Sequence, residues 1–317
     1  MFDKFGRNIN YIRISVTESC NLSCRYCIPE HGVCPKKNEE ILTEEEIVTA
    51  ARAAASLGIQ KLRITGGEPL MKENILSVCE RCAAVEGIQE LCMTTNGTFL
   101  SKMAKDLRKA GVQRLNISLD TLNREKYAYI TRGGKLERTM AGLETALQAG
   151  YDKIKINAVL IGGFNEDEIP ELAELTREYP VDVRFIELMP MNDEGAFGNE
   201  AFLSYEKVLQ ILPQLVPVPQ DGGVARLYRL PGARGNVGLI SPLNAHFCGT
   251  CNRIRVTADG KLKPCLHSPD EYSIRGLRLE EMRSQMERAI LAKPEWHGLL
   301  SAKNPSRAGR CMNQIGG

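Results

Sequence analysis

The feature that most restricts the fold is a repeated change of periodicity. From residue 11 to residue 190, short segments alternating apolar and polar residues are separated by longer segments with helical spacing. Strands are expected at 11–17, 61–66, 90–95, 114–120, 153–160 and 182–189, and helices at 43–57, 99–110, 138–149 and 166–178. Thr43 followed by Glu46 reads as a capping box, and Gly58, Gly111 and Gly150 stand where helices should end. Strand–helix units in series make a parallel sheet with right-handed crossovers. Six units are two fewer than a closed eightfold barrel needs. The expected class is α/β, an incomplete six-unit parallel β/α barrel closed by a smaller C-terminal domain.

Parallel strands covered on both faces should be almost wholly apolar. Here Ile12, Ile14 and Val16 alternate with Arg13, Ser15 and Thr17, and Leu62 and Ile64 with Lys61, Arg63 and Thr65. Leu115, Ile117 and Leu119 alternate with Arg114, Asn116, Ser118 and Asp120, and Ile154 and Ile156 with Lys153, Lys155 and Asn157. The sixth strand is less regular, because Arg184 shares a side with Ile186 and Leu188. The apolar faces must meet the helices, so the polar faces line an interior that is wet or filled by ligand. That interior is basic, through Arg13, Arg63, Lys155 and Arg184. Buried cations need an anion. A polyphosphate is one source, and strand-end carboxylates such as Asp120 and Glu187 are the other.

Prolines 213, 217 and 219 and the run Asp221-Gly222-Gly223 break the alternation, which places a boundary near 220 and gives domains 1–220 and 221–317. A net charge of +2 over 317 residues argues against nucleic-acid or membrane binding by the protein as a whole. Neither a signal-peptide core nor a membrane-length apolar run is present, so a cytoplasmic, reducing location is expected, which disfavours disulfides among the eleven cysteines.

Six of those cysteines form two triplets. Cys20, Cys24 and Cys27 are spaced C-x3-C-x2-C; Cys248, Cys251 and Cys265 are spaced C-x2-C-x13-C. A disulfide would pair two thiols and strand the third. Three thiolates in one short stretch suit an iron–sulfur cluster, and a four-iron cube held by three leaves one iron open. Structural zinc remains an alternative, particularly at the second triplet, where His267 offers a fourth ligand.

The first triplet, with Tyr26 before its last cysteine, resembles the cluster loop of radical S-adenosylmethionine enzymes, and Gly66-Gly67-Glu68-Pro69 resembles the motif that holds the methionine amino group in that superfamily. The second triplet, the run Cys251-Asn252-Arg253-Ile254-Arg255 and the terminal Gln314-Ile315-Gly316-Gly317 narrow the likeness to the MoaA family of GTP 3′,8-cyclases, lyases of molybdenum-cofactor biosynthesis. The likeness runs nearly end to end and weakens at 30–40 and 192–230.

The resemblance implies a 4Fe-4S cluster on Cys20, Cys24 and Cys27, with S-adenosylmethionine contacted by Tyr26, Gly67, Ser118 and Met189. It implies a second 4Fe-4S cluster on Cys248, Cys251 and Cys265, whose open iron receives the guanine base. The GTP site would comprise Arg13, Arg63, Thr94, Lys155, Arg253, Ile254 and Arg255, with Lys61 and Arg184 close by, and Gly316 and Gly317 would thread towards the reaction centre. In that family a 5′-deoxyadenosyl radical takes the C3′ hydrogen of GTP, and C3′ then bonds to C8, giving 3′,8-cyclo-7,8-dihydro-GTP. The implied partners are an electron donor of flavodoxin or ferredoxin type, the cyclic pyranopterin synthase that takes the product, and a second copy in a homodimer. Two competing functions stay open at this point: a two-cluster radical enzyme acting on a peptide, and a zinc-binding non-enzyme.

Four of the five remaining cysteines read as packing or loop thiols. Cys79 and Cys82 share a helical segment, Cys92 precedes a strand end, and Cys34 lies in a loop. Trp296 and His297 read as part of the docking of the tail.

Overall fold

The computed structural model describes residues 1–34, 36–191, 197–220, 222–243, 247–301 and 304–316. Asp221, which opens the expected second domain, and Gly317, one half of the expected tail pair, lie outside the described residues.

The chain runs β1 (Tyr11–Ser15), α1 (Glu44–Ser56), β2 (Lys61–Thr65), α2 (Ile75–Ala83), β3 (Glu90–Thr95), α3 (Leu100–Lys109), β4 (Arg114–Ser118), α4 (Arg124–Thr131), α5 (Leu136–Gln148), β5 (Ile154–Leu160), α6 (Ile169–Glu178) and β6 (Val181–Glu187). Then follow α7 (Tyr205–Ile211), β7 (Val216–Pro217), β8 (Arg226–Arg229), β9 (Val237–Ile240), β10 (Arg253–Val256), β11 (Lys261–Lys263), β12 (Tyr272–Ser273), α8 (Leu279–Leu291) and α9 (Met312–Ile315). The twelve strands form one sheet, in the order β12-β11-β10-β1-β2-β3-β4-β5-β6-β9-β8-β7. The strands from β10 across to β9 pair in parallel, as in a partial barrel.

Residues after 220 therefore continue the sheet at both edges. β10 lies beside β1 and β9 beside β6. The expected boundary falls between β7 and β8, which pair with each other.

The period of two decides what the sheet buries. Ile12, Leu62, Leu91 and Ile254 stand in one register row, and Ile117, Ile156, Val183 and Val237 in another. All eight sit in the hydrophobic core between sheet and helices. α1 presents Ile47, Val48, Ala51 and Ala54 to that core, and Thr43 caps it reciprocally with Glu46. Burying a large aliphatic side chain contributes roughly 1.5–3 kcal/mol, so the apolar face drives folding and leaves the opposite face free to be polar. No helix among the described residues is long and apolar enough to cross a membrane.

Candidate active site

Strand register brings the cations together. Arg13 pairs in register with Arg255 on one side and Arg63 on the other, and Tyr11 stands between Arg253 and Lys61. Like charges on adjacent strands repel. Burial and the charges of Arg255, Arg63 and Arg253 push Arg13 well below its usual basicity, and burial together with Arg253 brings Arg255 down to about 10. These side chains line a cavity of about 570 Å³ together with Thr94, Lys155 and Arg184. Within it Arg13 Nε, Arg253 Nε, Asn157 Oδ1 and Thr65 Oγ1 are buried with no hydrogen-bond partner. Buried polar atoms are normally satisfied. Unpartnered donors and acceptors around one cavity mark a surface shaped for a polar, anionic ligand.

The strand-end carboxylates do not supply that anion. Asp120 accepts from Tyr26 Oη at 2.8 Å and from the Val159 amide at 2.8 Å. Burial pushes its acid up to about 6. Glu187 accepts from Ser241 and from the Tyr205 amide. Lys155 has Asp182 at 3.5 Å. Lys61 pairs with Glu90. Arg63 donates to Tyr11 Oη at 2.5 Å, to the Met93 carbonyl at 3.1 Å and to Thr94 Oγ1 at 3.4 Å.

The first triplet lies at the cavity wall. Cys20, Cys24, Tyr26 and Cys27 line the same space as the arginines, as do Gly67, Ser118 and Met189. Its loop is fastened to the end of α4: the Ser23 and Arg25 amides donate to the Thr131 and Ile130 carbonyls, and Arg132 Nη1 donates to the Ser23 and Ile28 carbonyls. Arg132 ends α4 at φ 55°, the left-handed region. Gly67 packs against the loop's other side, where a Cβ would lie inside contact distance of the Ser19 and Glu18 carbonyl oxygens. Glu68 joins two strand ends, accepting from Thr95 Oγ1 at 2.7 Å and the Asn96 amide at 2.7 Å, and burial pushes its acid up to about 7.

Cys248, Cys251 and Cys265 line a smaller cavity of about 80 Å³. Met189, Pro242, Phe247, Arg253, Arg255 and Leu266 line both cavities, so the two triplets border adjacent cavities that share a wall. His267 also lines the smaller cavity; it bonds Ser306 through Nδ1 and packs edge-on against His297 at 4.9 Å. Burial and His297 bring its basicity down to about 3.

The tail reaches this region. Ile315 is buried with Met191 and Ala308, and Arg255 Nη1 donates to the Gly316 carbonyl at 2.9 Å. Gly316 has φ 81°, and a Cβ there would meet Thr65 Oγ1 at 2.5 Å and Ser15 Cβ at 2.9 Å. Asn313 and Cys27 line the same cavity, and Asn313 Nδ2 donates to the Glu18 carbonyl at 3.4 Å.

Ile254 is placed differently from the other GTP-site residues named by sequence. It is fully buried in the core on the opposite face of β10, so its side chain stays out of the cavity, and its backbone joins Arg253 to Arg255. Sequence reasoning missed Tyr11. Burial raises its phenol, but the charges of Arg63, Arg13 and Arg253 outweigh that and bring it down to about 7. Its position two residues before Arg13 was the available signal. Cys79, Cys82 and Cys92 are buried and Cys34 is exposed.

The thiols fit cluster chemistry. All six are free of disulfides. Burial and neighbouring thiols push Cys24 well up and Cys27 up to about 12. Three bare thiolates are thus disfavoured there, and bound iron would supply the compensating positive charge. Among the described residues no group of three or more His, Cys, Asp or Glu side chains is placed to hold a single metal ion. A cube spreads its ligands, giving each thiolate its own iron.

Comparison with known proteins agrees with this geometry. Residues 14–176 match the Radical SAM superfamily model, and residues 181–299 match the model described as Molybdenum Cofactor Synthesis C. The chain is 47% identical over 323 residues to a GTP 3′,8-cyclase of Alkaliphilus metalliredigens and 45% identical over 325 residues to one of Alkaliphilus oremlandii, with all of each chain covered. The structure of Streptococcus suis SuiB bound to S-adenosylmethionine superposes with a TM-score of 0.63 at 16% identity, covering 84% of this chain and 63% of that one, a likeness of fold.

Proposed function

The chain belongs to the GTP 3′,8-cyclases, radical S-adenosylmethionine enzymes that open molybdenum-cofactor biosynthesis, and we propose that its shared cavity holds GTP between the two cysteine triplets. The observation that carries this reading is the in-register row Arg255–Arg13–Arg63, with unpartnered donors on Arg13 and Arg253, in a cavity that borders the first triplet and shares a wall with the cavity of the second.

Cys20, Cys24 and Cys27 would hold the first four-iron cluster, and Cys248, Cys251 and Cys265 the second. When bound, the first cluster supplies the electron that cleaves S-adenosylmethionine to a 5′-deoxyadenosyl radical. The protein's own residues position and shield. Tyr26, Gly67, Ser118 and Met189 contact S-adenosylmethionine, while Tyr26 is oriented by its hydrogen bond to Asp120. Arg13, Arg63, Arg253 and Arg255 bind the triphosphate, with Thr94, Lys155, Lys61 and Arg184 around them. Charge-assisted bonds to phosphate are the strong class. Holding both reactants in one cavity makes the encounter effectively unimolecular. The tail at Gly316 seals the side of the cavity formed by β1 and β2 and excludes stray hydrogen donors.

We further read 1–220 as the six-unit partial barrel and 221–317 as the domain that closes it; the added strands beside β1 and β6 support this. A cytoplasmic setting, a flavodoxin- or ferredoxin-type donor, delivery to the cyclic pyranopterin synthase and a homodimer complete the proposal. Anaerobic incubation with S-adenosylmethionine, a strong reductant and either GTP or a peptide pool tests it. Cyclised product from GTP alone is expected. Turnover of the peptides with GTP untouched would replace the reading.

A further inference from the structure

Lys293 is a buried cation that the site described above leaves unexplained. It is only 2% exposed. Its Nζ donates to the Arg253 carbonyl at 2.8 Å and to the Pro264 carbonyl at 2.7 Å. Those two carbonyls flank the second triplet, and Lys293 lines the same small cavity as Cys251. Among the described residues no carboxylate forms an ion pair with it. The segment that carries it is fastened from the far end of the chain. Arg7 donates to the Pro294 carbonyl at 2.7 Å and to the Glu295 and Cys248 carbonyls at 2.9 Å. Arg7 is itself held by Asp3 at 2.6 Å.

A buried ammonium without an anion is strongly disfavoured. Carbonyl oxygens satisfy its hydrogens but leave its charge uncompensated. The anions within reach are the thiolates of Cys248, Cys251 and Cys265, which line the same small cavity as Lys293. A four-iron core with three thiolates is a net anion, and one-electron reduction makes it more negative. A fixed neighbouring cation favours the more negative state, which raises the reduction potential; charge and hydrogen bonds to the sulfurs are the established levers on such potentials.

We propose that Lys293 is the fixed counter-cation of the second cluster, a positioning residue that anchors Cys251 and Cys265 through the carbonyls beside them and sets the cluster's potential. The inference rests on the reading that this triplet holds a cluster. It assigns no step in the reaction to Lys293, which holds the Arg253 backbone but does not line the large cavity.

The test is a dithionite redox titration of the full-length, anaerobically reconstituted enzyme, followed by electron paramagnetic resonance. Replacing Cys20, Cys24 and Cys27 by alanine in every sample leaves the second cluster as the sole signal. Lys293→Met is expected to shift the midpoint to a more negative potential, and Lys293→Arg to restore it towards the parent value. An unmoved midpoint in Lys293→Met overturns the proposal. Should Lys293→Met fail to retain iron at the second triplet, Lys293→Arg decides: retention supports the need for positive charge, and loss overturns it. Iron analysis separates this outcome from failure of the underlying reading. A parent sample without iron at Cys248, Cys251 and Cys265 defeats the cluster assignment itself, whereas normal iron with an unmoved midpoint defeats only the role of Lys293.

Discussion

Arg13 and Arg255 stand at paired positions on adjacent parallel strands, with both guanidinium groups in one cavity. Two like charges so placed oppose folding unless a ligand or the tail takes them up, and Arg255 already donates to the Gly316 carbonyl. Arg253 has no such partner at Nε. Arg253→Ala is therefore expected to weaken GTP binding about 10- to 100-fold, the equivalent of roughly 1.5–3 kcal/mol for a hydrogen bond to a charged group. Iron content should stay at the parent level. Calorimetry on anaerobic enzyme measures the affinity, and an unchanged value removes Arg253 from the phosphate site.

Tyr11 gives the site a pH dependence. Burial opposes its ionisation, but Arg63, Arg13 and Arg253 bring its phenol down to about 7 from a usual value of 10. Above about 7 the phenolate adds negative charge where a triphosphate must bind, so binding favours the neutral phenol. Affinity for GTP should fall as pH rises through about 7, and Tyr11→Phe should flatten that fall. The stability sign is opposite. A depressed folded value contributes stability that is fully present above the unfolded value near 10 and is lost as pH falls through about 7. In ligand-free protein the advantage of parent over Tyr11→Phe should therefore grow from neutral to alkaline pH. Parallel pH profiles for the two proteins contradict this account.

Gly316 combines a left-handed backbone with close approach to Ser15 and Thr65. Gly316→Ala adds about 1–2 kcal/mol of backbone strain together with a clash, and should drive the end of the tail out of the cavity. Loss of cyclisation with unchanged iron is expected, as in a chain ending at Ile315. Full turnover in either variant dismisses a role for the tail in catalysis.

The paired thiols of α2 serve as a control. Cys79 and Cys82 are wholly buried in the core. Cys79→Ala or Cys82→Ala should lower stability by about 1 kcal/mol through lost packing and leave iron per chain unaltered. A reduced iron count would return these thiols to the list of candidate ligands.

Local periodicity and capping were legible because neighbours in sequence determine them. The capping box at Thr43 and Glu46 is formed as expected, and the alternation in β1 and β2 sends Ile12, Ile14, Leu62 and Ile64 to the core and Arg13 and Arg63 to the cavity. The six triplet cysteines were legible from spacing, and they line two adjacent cavities that share a wall. Long-range pairing was harder to read. Nothing local indicates that Arg253 and Arg255 lie on a strand added beside β1, putting them in register with Tyr11 and Arg13. Short α4 was overlooked, although its end fastens the first cysteine loop. Lys155 was grouped with cations awaiting a ligand, whereas Asp182, one strand away in register, pairs with it. Lys293 gave no signal because its hydrogen-bond partners are backbone carbonyls.

Everything above depends on the ribose of GTP meeting the chemistry of the first triplet inside the shared cavity. The direct measurement uses GTP carrying deuterium at C3′, with S-adenosylmethionine, reductant and the anaerobic enzyme, and mass analysis of the 5′-deoxyadenosine released. Deuterium in that nucleoside, together with a cyclised product that has lost it from C3′, is the predicted result. Unlabelled 5′-deoxyadenosine, formed at the same rate with or without GTP, would contradict a substrate held between the two cysteine groups.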